Sequence, residues 1–155
     1  MATVLSDVLK EEHVTLALRA GTRDEALREI IATMRGETKL AEPEKFLGEV
    51  LAREQASSTY MGNGVALPHA RTELVTQIIM GAGRSDDGLV FGPKGERVHL
   101  LFVIAVPQRM VNDYLVCVGA LARLVNDAET RAALRHCATA TEFVELIRAA
   151  SLLLE

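Results

Sequence analysis

Tryptophan is absent from this chain of 155 residues, aromatic side chains make up only 4% of it, and there are two cysteines. The core must therefore be built mainly from aliphatic side chains, and nothing points to a disulfide scaffold. Cys117 and Cys137 fall within helical-looking apolar patterns and belong to no CxxC pair, which suits small buried hydrophobes in a reducing cytoplasm. No apolar run reaches the roughly 18 residues that suggest a membrane span. The segment Met1 to Glu11 also lacks the basic-then-apolar order of a signal peptide, so neither membrane insertion nor export is expected. Basic excess is missing too: a net charge of −4, with both signs interspersed, leaves no electrostatic footprint for nucleic acid. His13, His99 and His136 show no short ligand spacing with one another or with the cysteines, so no metal or other cofactor is expected.

What the chain does have is a 49% hydrophobic content laid out with clear periodicity. A short helical turn is expected at Leu5–Leu9 and a strand at His13–Leu18. Thr22 and Glu25 form a capping box ahead of Leu27, Ile30, Ile31 and Met34, whose spacing marks one face of a helix ending near Gly36. Pro43 is placed as a first helical residue, and Phe46, Leu47, Val50 and Leu51 line a second helix to about Glu54. Strands are expected at Thr76–Ala82 and Arg97–Val106, the second apolar enough to be covered on both faces. Between them, turns are expected at Ser85–Gly88 and Gly92–Gly95. Three more helices follow: one through Leu115, Leu121 and Val125, one at Glu129–Cys137, and a last one capped by Thr139 and Glu142. The economical architecture is one α/β domain over residues 1–155, a mixed central sheet sandwiched between helices in three layers, with the last few residues a tail or an appended segment.

Between the periodic segments lies Ser58-Thr59-Tyr60-Met61-Gly62-Asn63-Gly64-Val65-Ala66-Leu67-Pro68-His69-Ala70-Arg71, which concentrates glycine, asparagine, proline, histidine and arginine in one short span. Gly62 and Gly64 flanking Asn63 allow positive φ, which can aim backbone N–H groups at an anion; the same tripeptide is also ordinary turn chemistry. Pro68 fixes its own φ and pushes Leu67 into an extended conformation, so His69 sits at a stiff point of the chain. A histidine there can be substantially neutral at pH 7 and attack through a ring nitrogen, or it can be an inert surface residue.

The run Arg53-Glu54, Ser58-Thr59 and then Gly62-Asn63-Gly64-Val65-Ala66-Leu67-Pro68-His69 resembles the active-site signature of enzyme IIA of the fructose/mannitol/nitrogen class. That class belongs to the bacterial phosphoenolpyruvate-dependent sugar phosphotransferase system. The likeness extends from the helix capped at Thr22 to the last helix at Phe143 and includes the strand Leu100–Pro107. It implies that His69 accepts a phosphoryl group from an HPr-like phosphocarrier protein and passes it to an enzyme IIB. It further implies that Arg53 grips phosphate oxygens and that Asn63 and Gly64 support the site. A nitrogen-regulatory member would instead control a transporter or kinase by docking, with weak phosphotransfer or none.

One position departs from the pattern. Where this family usually carries a second histidine, at the start of the helix after the central strand, Tyr114 stands here. A phenol can donate one hydrogen bond to a phosphoryl oxygen but cannot become a cation. Equally, Tyr114 can be an amphipathic helix-start residue with its ring on the core and its hydroxyl in water.

Overall fold

The longest apolar run in the chain becomes the middle of the molecule. In a computed structural model, which describes residues 8–36 and 40–152 apart from the side chains of Val111, Tyr114 and Leu152, the strand Arg97–Pro107 (β6) is buried along almost its whole length. Ahead of it come β1 (Leu9–Thr15), α1 (Arg23–Ala32), α2 (Pro43–Ala56), β2 (Tyr60–Gly62), β3 (Val65–Ala66), β4 (His69–Thr72) and β5 (Ile79–Val90). After it come α3 (Val111–Val125), α4 (Ala128–His136) and α5 (Ala140–Leu152).

The described strands form one mixed sheet in the order β1-β5-β6-β3-β2, with β4 also paired to β6. β6 runs antiparallel to β5 and parallel to both β3 and β4, which lie one after the other along its far side. Because side chains alternate across a strand, Leu100, Phe102, Ile104 and Val106 join one core with Cys117 and Leu121 of α3, Leu134 of α4 and Phe143 of α5. Leu101, Val103 and Ala105 join a second core with Leu27 and Ile30 of α1 and Phe46 and Val50 of α2. The two-sided cover expected from the sequence is therefore present, and it explains why β6 reads as continuously apolar instead of alternating.

Helix starts follow the sequence closely, whereas α1 stops at Ala32, short of the end expected near Gly36, and the chain continues from there as a turn. The Thr22 hydroxyl accepts the Glu25 amide at 3.3 Å, and the Thr139 hydroxyl accepts the Glu142 amide at 3.1 Å. Strand boundaries follow it less well. The first strand starts at Leu9, four residues earlier than expected, and ends at Thr15, three residues earlier, because exposed Lys10-Glu11-Glu12 sit on a sheet edge and hide the alternation. Residues 5–7 of the expected helical turn lie outside the described residues, and Leu9 already belongs to β1.

The expected turn at Ser85–Gly88 is instead an irregularity inside β5, where pairing with β6 shifts between Arg84 and Leu89. Gly88 has φ 77°, and a Cβ there would lie 2.9 Å from the His99 ring, so only glycine fits beneath that imidazole.

Close approach of α1 to the sheet depends on a second glycine. A Cβ at Gly83 would come within 2.6 Å of Ile30 Cδ1 and 2.9 Å of Leu18 Cδ1. Gly83→Ala is expected to overpack this core and lower stability by roughly 1–3 kcal/mol. A drop in the urea midpoint without a change in slope would register it, and an unchanged midpoint would show that Ile30 and Leu18 yield freely.

Candidate functional site

The last two turns of α2 carry Glu49, Arg53 and Glu54, and the helix sends them in two directions. Residues four apart share a face, so Glu49 and Arg53 both line a cleft of about 760 Å³ together with His69, Arg71, Gln108 and Leu115. Glu54 follows Arg53 by one residue and points inward, where it is only 3% exposed. Its Oε1 accepts the Thr59 amide at 2.8 Å, and its Oε2 accepts the Thr59 hydroxyl at 2.7 Å. The turn leaving α2 is thereby bound back onto the helix.

His69 opens β4 opposite Ile104 of β6. The extended Leu67 expected before Pro68 carries the contact that orients the ring: His69 Nδ1 lies 2.8 Å from the Leu67 carbonyl oxygen. A carbonyl only accepts, so Nδ1 carries the proton that is donated, and in the neutral imidazole the ring lone pair is on Nε2. Partial burial pushes the His69 pKa below its usual value, and the Arg53 guanidinium acts in the same direction. The Leu67 carbonyl and the Glu54 carboxylate oppose that fall.

Arg53 is held by a 2.7 Å bond from Nη1 to the Ser57 carbonyl. Arg71, two residues after His69 on β4, lies on the same face of the strand and is exposed in the cleft. Glu49 accepts a 2.5 Å bond from the hydroxyl of Thr72, a fully buried side chain.

His69 and Arg53 thus share one cleft. Gly62, Asn63 and Gly64 have φ of 97°, 56° and 76° and form the turn from β2 to β3. That turn sits beside the start of β6, where the Gly64 carbonyl accepts the His99 and Leu100 amides at 2.8 and 3.1 Å. Val65 pairs with Leu100 and His69 with Ile104, so the turn and the histidine are separated by about four strand residues, roughly 13 Å. Tyr114 falls in the first turn of α3, one residue before Leu115 of the cleft wall, with its side chain outside the described residues.

Glu49 and Gln108 in the cleft were not legible as site residues. The four-residue step from Glu49 to Arg53 on one helix was the available signal, and Gln108 offered none beyond following Pro107. Of the described helices, none is long and apolar enough to cross a membrane.

Comparison with known proteins is consistent across sequence and structure. The family model described as "Phosphoenolpyruvate-dependent sugar phosphotransferase system, EIIA 2" matches residues 7–150. A PTS system fructose-specific EIIABC component of Bacillus subtilis is 26% identical over 144 residues, covering 92% of this chain but only 23% of that much longer protein. A nitrogen regulatory protein of Pseudomonas aeruginosa is also 26% identical over 144 residues, covering 92% of this chain and 94% of its own. The crystal structure of nitrogen regulatory protein IIA-Ntr from Neisseria meningitidis superposes with a TM-score of 0.85 at 26% identity, covering 92% of this chain and 98% of that one.

Proposed function

This chain belongs to the EIIA 2 family of the phosphoenolpyruvate-dependent sugar phosphotransferase system, and on that premise we propose that it is a cytoplasmic phosphocarrier with His69 as its phosphoryl acceptor. The group arrives from an HPr-like phosphocarrier protein and leaves to an enzyme IIB. The observation that carries this reading is the bond from His69 Nδ1 to the Leu67 carbonyl, which assigns the nucleophilic lone pair to Nε2. In the transfer, that pair forms the new N–P bond while the P–N bond to the donor's ring breaks and its electrons leave with the donor. The Nδ1 proton stays on His69, shared with Leu67. Charge on the three equatorial oxygens is met by the Arg53 guanidinium in the same cleft. Asn63 and Gly64 support the site by turning the hairpin that delivers Pro68 and His69.

Incubation with phosphoenolpyruvate, enzyme I and HPr tests the proposal. The expected product is an acid-labile, base-stable phosphoprotein that gives up its phosphate to a cognate enzyme IIB. An unmodified protein with every cognate carrier would overturn it.

A second reading is favoured by Tyr114, which offers no positive charge where the family usually has a histidine. In that reading the protein docks on a transporter or kinase as a nitrogen-regulatory member would, and phosphotransfer is slow. Tyr114→His separates the two. If the phenol limits transfer, restoring the imidazole is expected to raise the acceptance rate about tenfold, the equivalent of one charge-assisted hydrogen bond. An unchanged rate would show that position 114 does not limit the transfer.

A further inference from the structure

Nothing in the chemistry above uses Glu54, although it is a carboxylate that the fold buries beside the cleft. Burying such a group is costly unless it is hydrogen-bonded, and both its oxygens are committed to Thr59. The connection does not stop there. The Thr59 carbonyl accepts the Leu67 amide at 3.2 Å, and the Leu67 carbonyl accepts His69 Nδ1 at 2.8 Å. Between those two residues, Pro68 contributes no N–H to compete, and its carbonyl is fixed by the Ile104 amide of β6 at 2.9 Å. The segment that carries the imidazole is therefore clamped from two sides, by β6 at Pro68 and by Glu54, through Thr59, at Leu67.

We infer that Glu54 is a positioning residue for His69: acting through Thr59 and Leu67, its carboxylate fixes the ring orientation and the Nδ1–H tautomer that make Nε2 the nucleophile. The inference rests on the reading of His69 as phosphoryl acceptor. It also has an electrostatic side. Forming the N–P bond turns the neutral ring into an N-phosphorylated imidazolium, and the charge that develops is favoured by an anion behind the ring. Glu54 is buried and acts on the ring in that direction, favouring its positive charge. Arg53, Arg71 and Glu49 are the other charged groups lining the cleft around His69. Glu54 also offsets the lowering of the His69 pKa by burial and Arg53.

Glu54→Gln removes the charge and keeps the contacts, because the amide oxygen can accept the Thr59 N–H while the amide nitrogen donates to the Thr59 hydroxyl. In this variant, nitrogen NMR of His69 is expected to show a lower titration midpoint than in the parent chain, because the carboxylate that raises it is gone. Phosphoryl acceptance from HPr is expected to fall about tenfold. Glu54→Asp keeps the charge but shortens the reach, so it is expected to restore the midpoint while the Nε2–H tautomer grows at the expense of Nδ1–H. Parent-like tautomer ratio, midpoint and rate in Glu54→Gln would overturn the inference. Should that variant fail to fold, Thr59→Val decides, since it deletes only the hydroxyl contact. A larger Nε2–H fraction in it supports the inference, and an unchanged one overturns it. If the parent chain accepts no phosphoryl group from any carrier, the phosphocarrier reading fails, while the NMR comparison still decides what Glu54 does to the ring.

Discussion

His69→Ala is expected to remove the phosphoryl adduct completely while leaving the fold intact. The main chain at residue 69 keeps its pairing with Ile104, and the ring lies at the cleft, half-buried, outside both cores. Far-ultraviolet circular dichroism and the urea midpoint should therefore match the parent chain closely. Residual labelling in the variant would place the acceptor elsewhere. The parent chain should also show a characteristic pH dependence. Only the neutral ring is a nucleophile, and an ordinary histidine is half protonated near about pH 6.5. Partial burial and Arg53 hold the His69 pKa below that value, so protonation requires more acid than usual. Acceptance from a saturating, pre-phosphorylated carrier should accordingly stay level as pH falls from about 8 through 6.5 and decline only below it. Titration of the His69 ring protons by NMR separates this effect from any change in the carrier. A midpoint at or above the usual value would contradict the burial seen at the site.

The parts of this molecule that could be read from sequence are those in which local chemistry and tertiary packing agree. Thr22 and Thr139 cap their helices as their spacing with Glu25 and Glu142 suggests, because a cap is settled within four residues. β6 was legible because cover on both faces removes alternation, which is itself a pattern. The short strands β2, β3 and β4 were not. Two to four residues cannot display a period, and these strands exist only because β6 and the β2–β3 turn supply their partners. In sequence β5 reads as a strand followed by a turn because Ser85-Asp86-Asp87-Gly88 has turn composition; pairing with β6 on either side carries the chain through as a bulge.

At the site, local chemistry points to His69 but leaves it open between a nucleophile and an inert residue, the resemblance adds its role and Arg53, and the fold brings the two to one cleft across sixteen residues of sequence. Asn63 and Gly64 lie in the same motif but at a different level of the sheet, because a hairpin separates neighbours in sequence by the length of its strands. Glu54 stood beside Arg53 in that motif, yet its role is invisible without the inward turn of the helix that buries it.

Arg53 provides the second large effect. Arg53→Ala is expected to slow phosphoryl acceptance about 100-fold, the scale on which removal of one preorganised donor to a charged transition state acts. Arg53→Lys should recover about tenfold of that loss, since an ammonium supplies charge but not the planar fork that grips two oxygens at once. Stability should change little in either variant, because the helix end is closed by the Ser57 amide donating to the Arg53 carbonyl, a bond between main-chain atoms. A further readout distinguishes a role at the ring from a role in local structure. The guanidinium contributes to lowering the His69 pKa, so its removal should move the ring's titration midpoint upward and carry the acid limb of the rate profile to higher pH. Arg53→Lys, which keeps a positive charge, should leave the midpoint close to that of the parent chain while the rate remains low. The two effects of Arg53, on the basicity of the acceptor and on the oxygens of the transferring group, would then be separated in one pair of variants. A midpoint and a rate both unmoved in Arg53→Ala would assign the guanidinium to the Ser57 carbonyl alone.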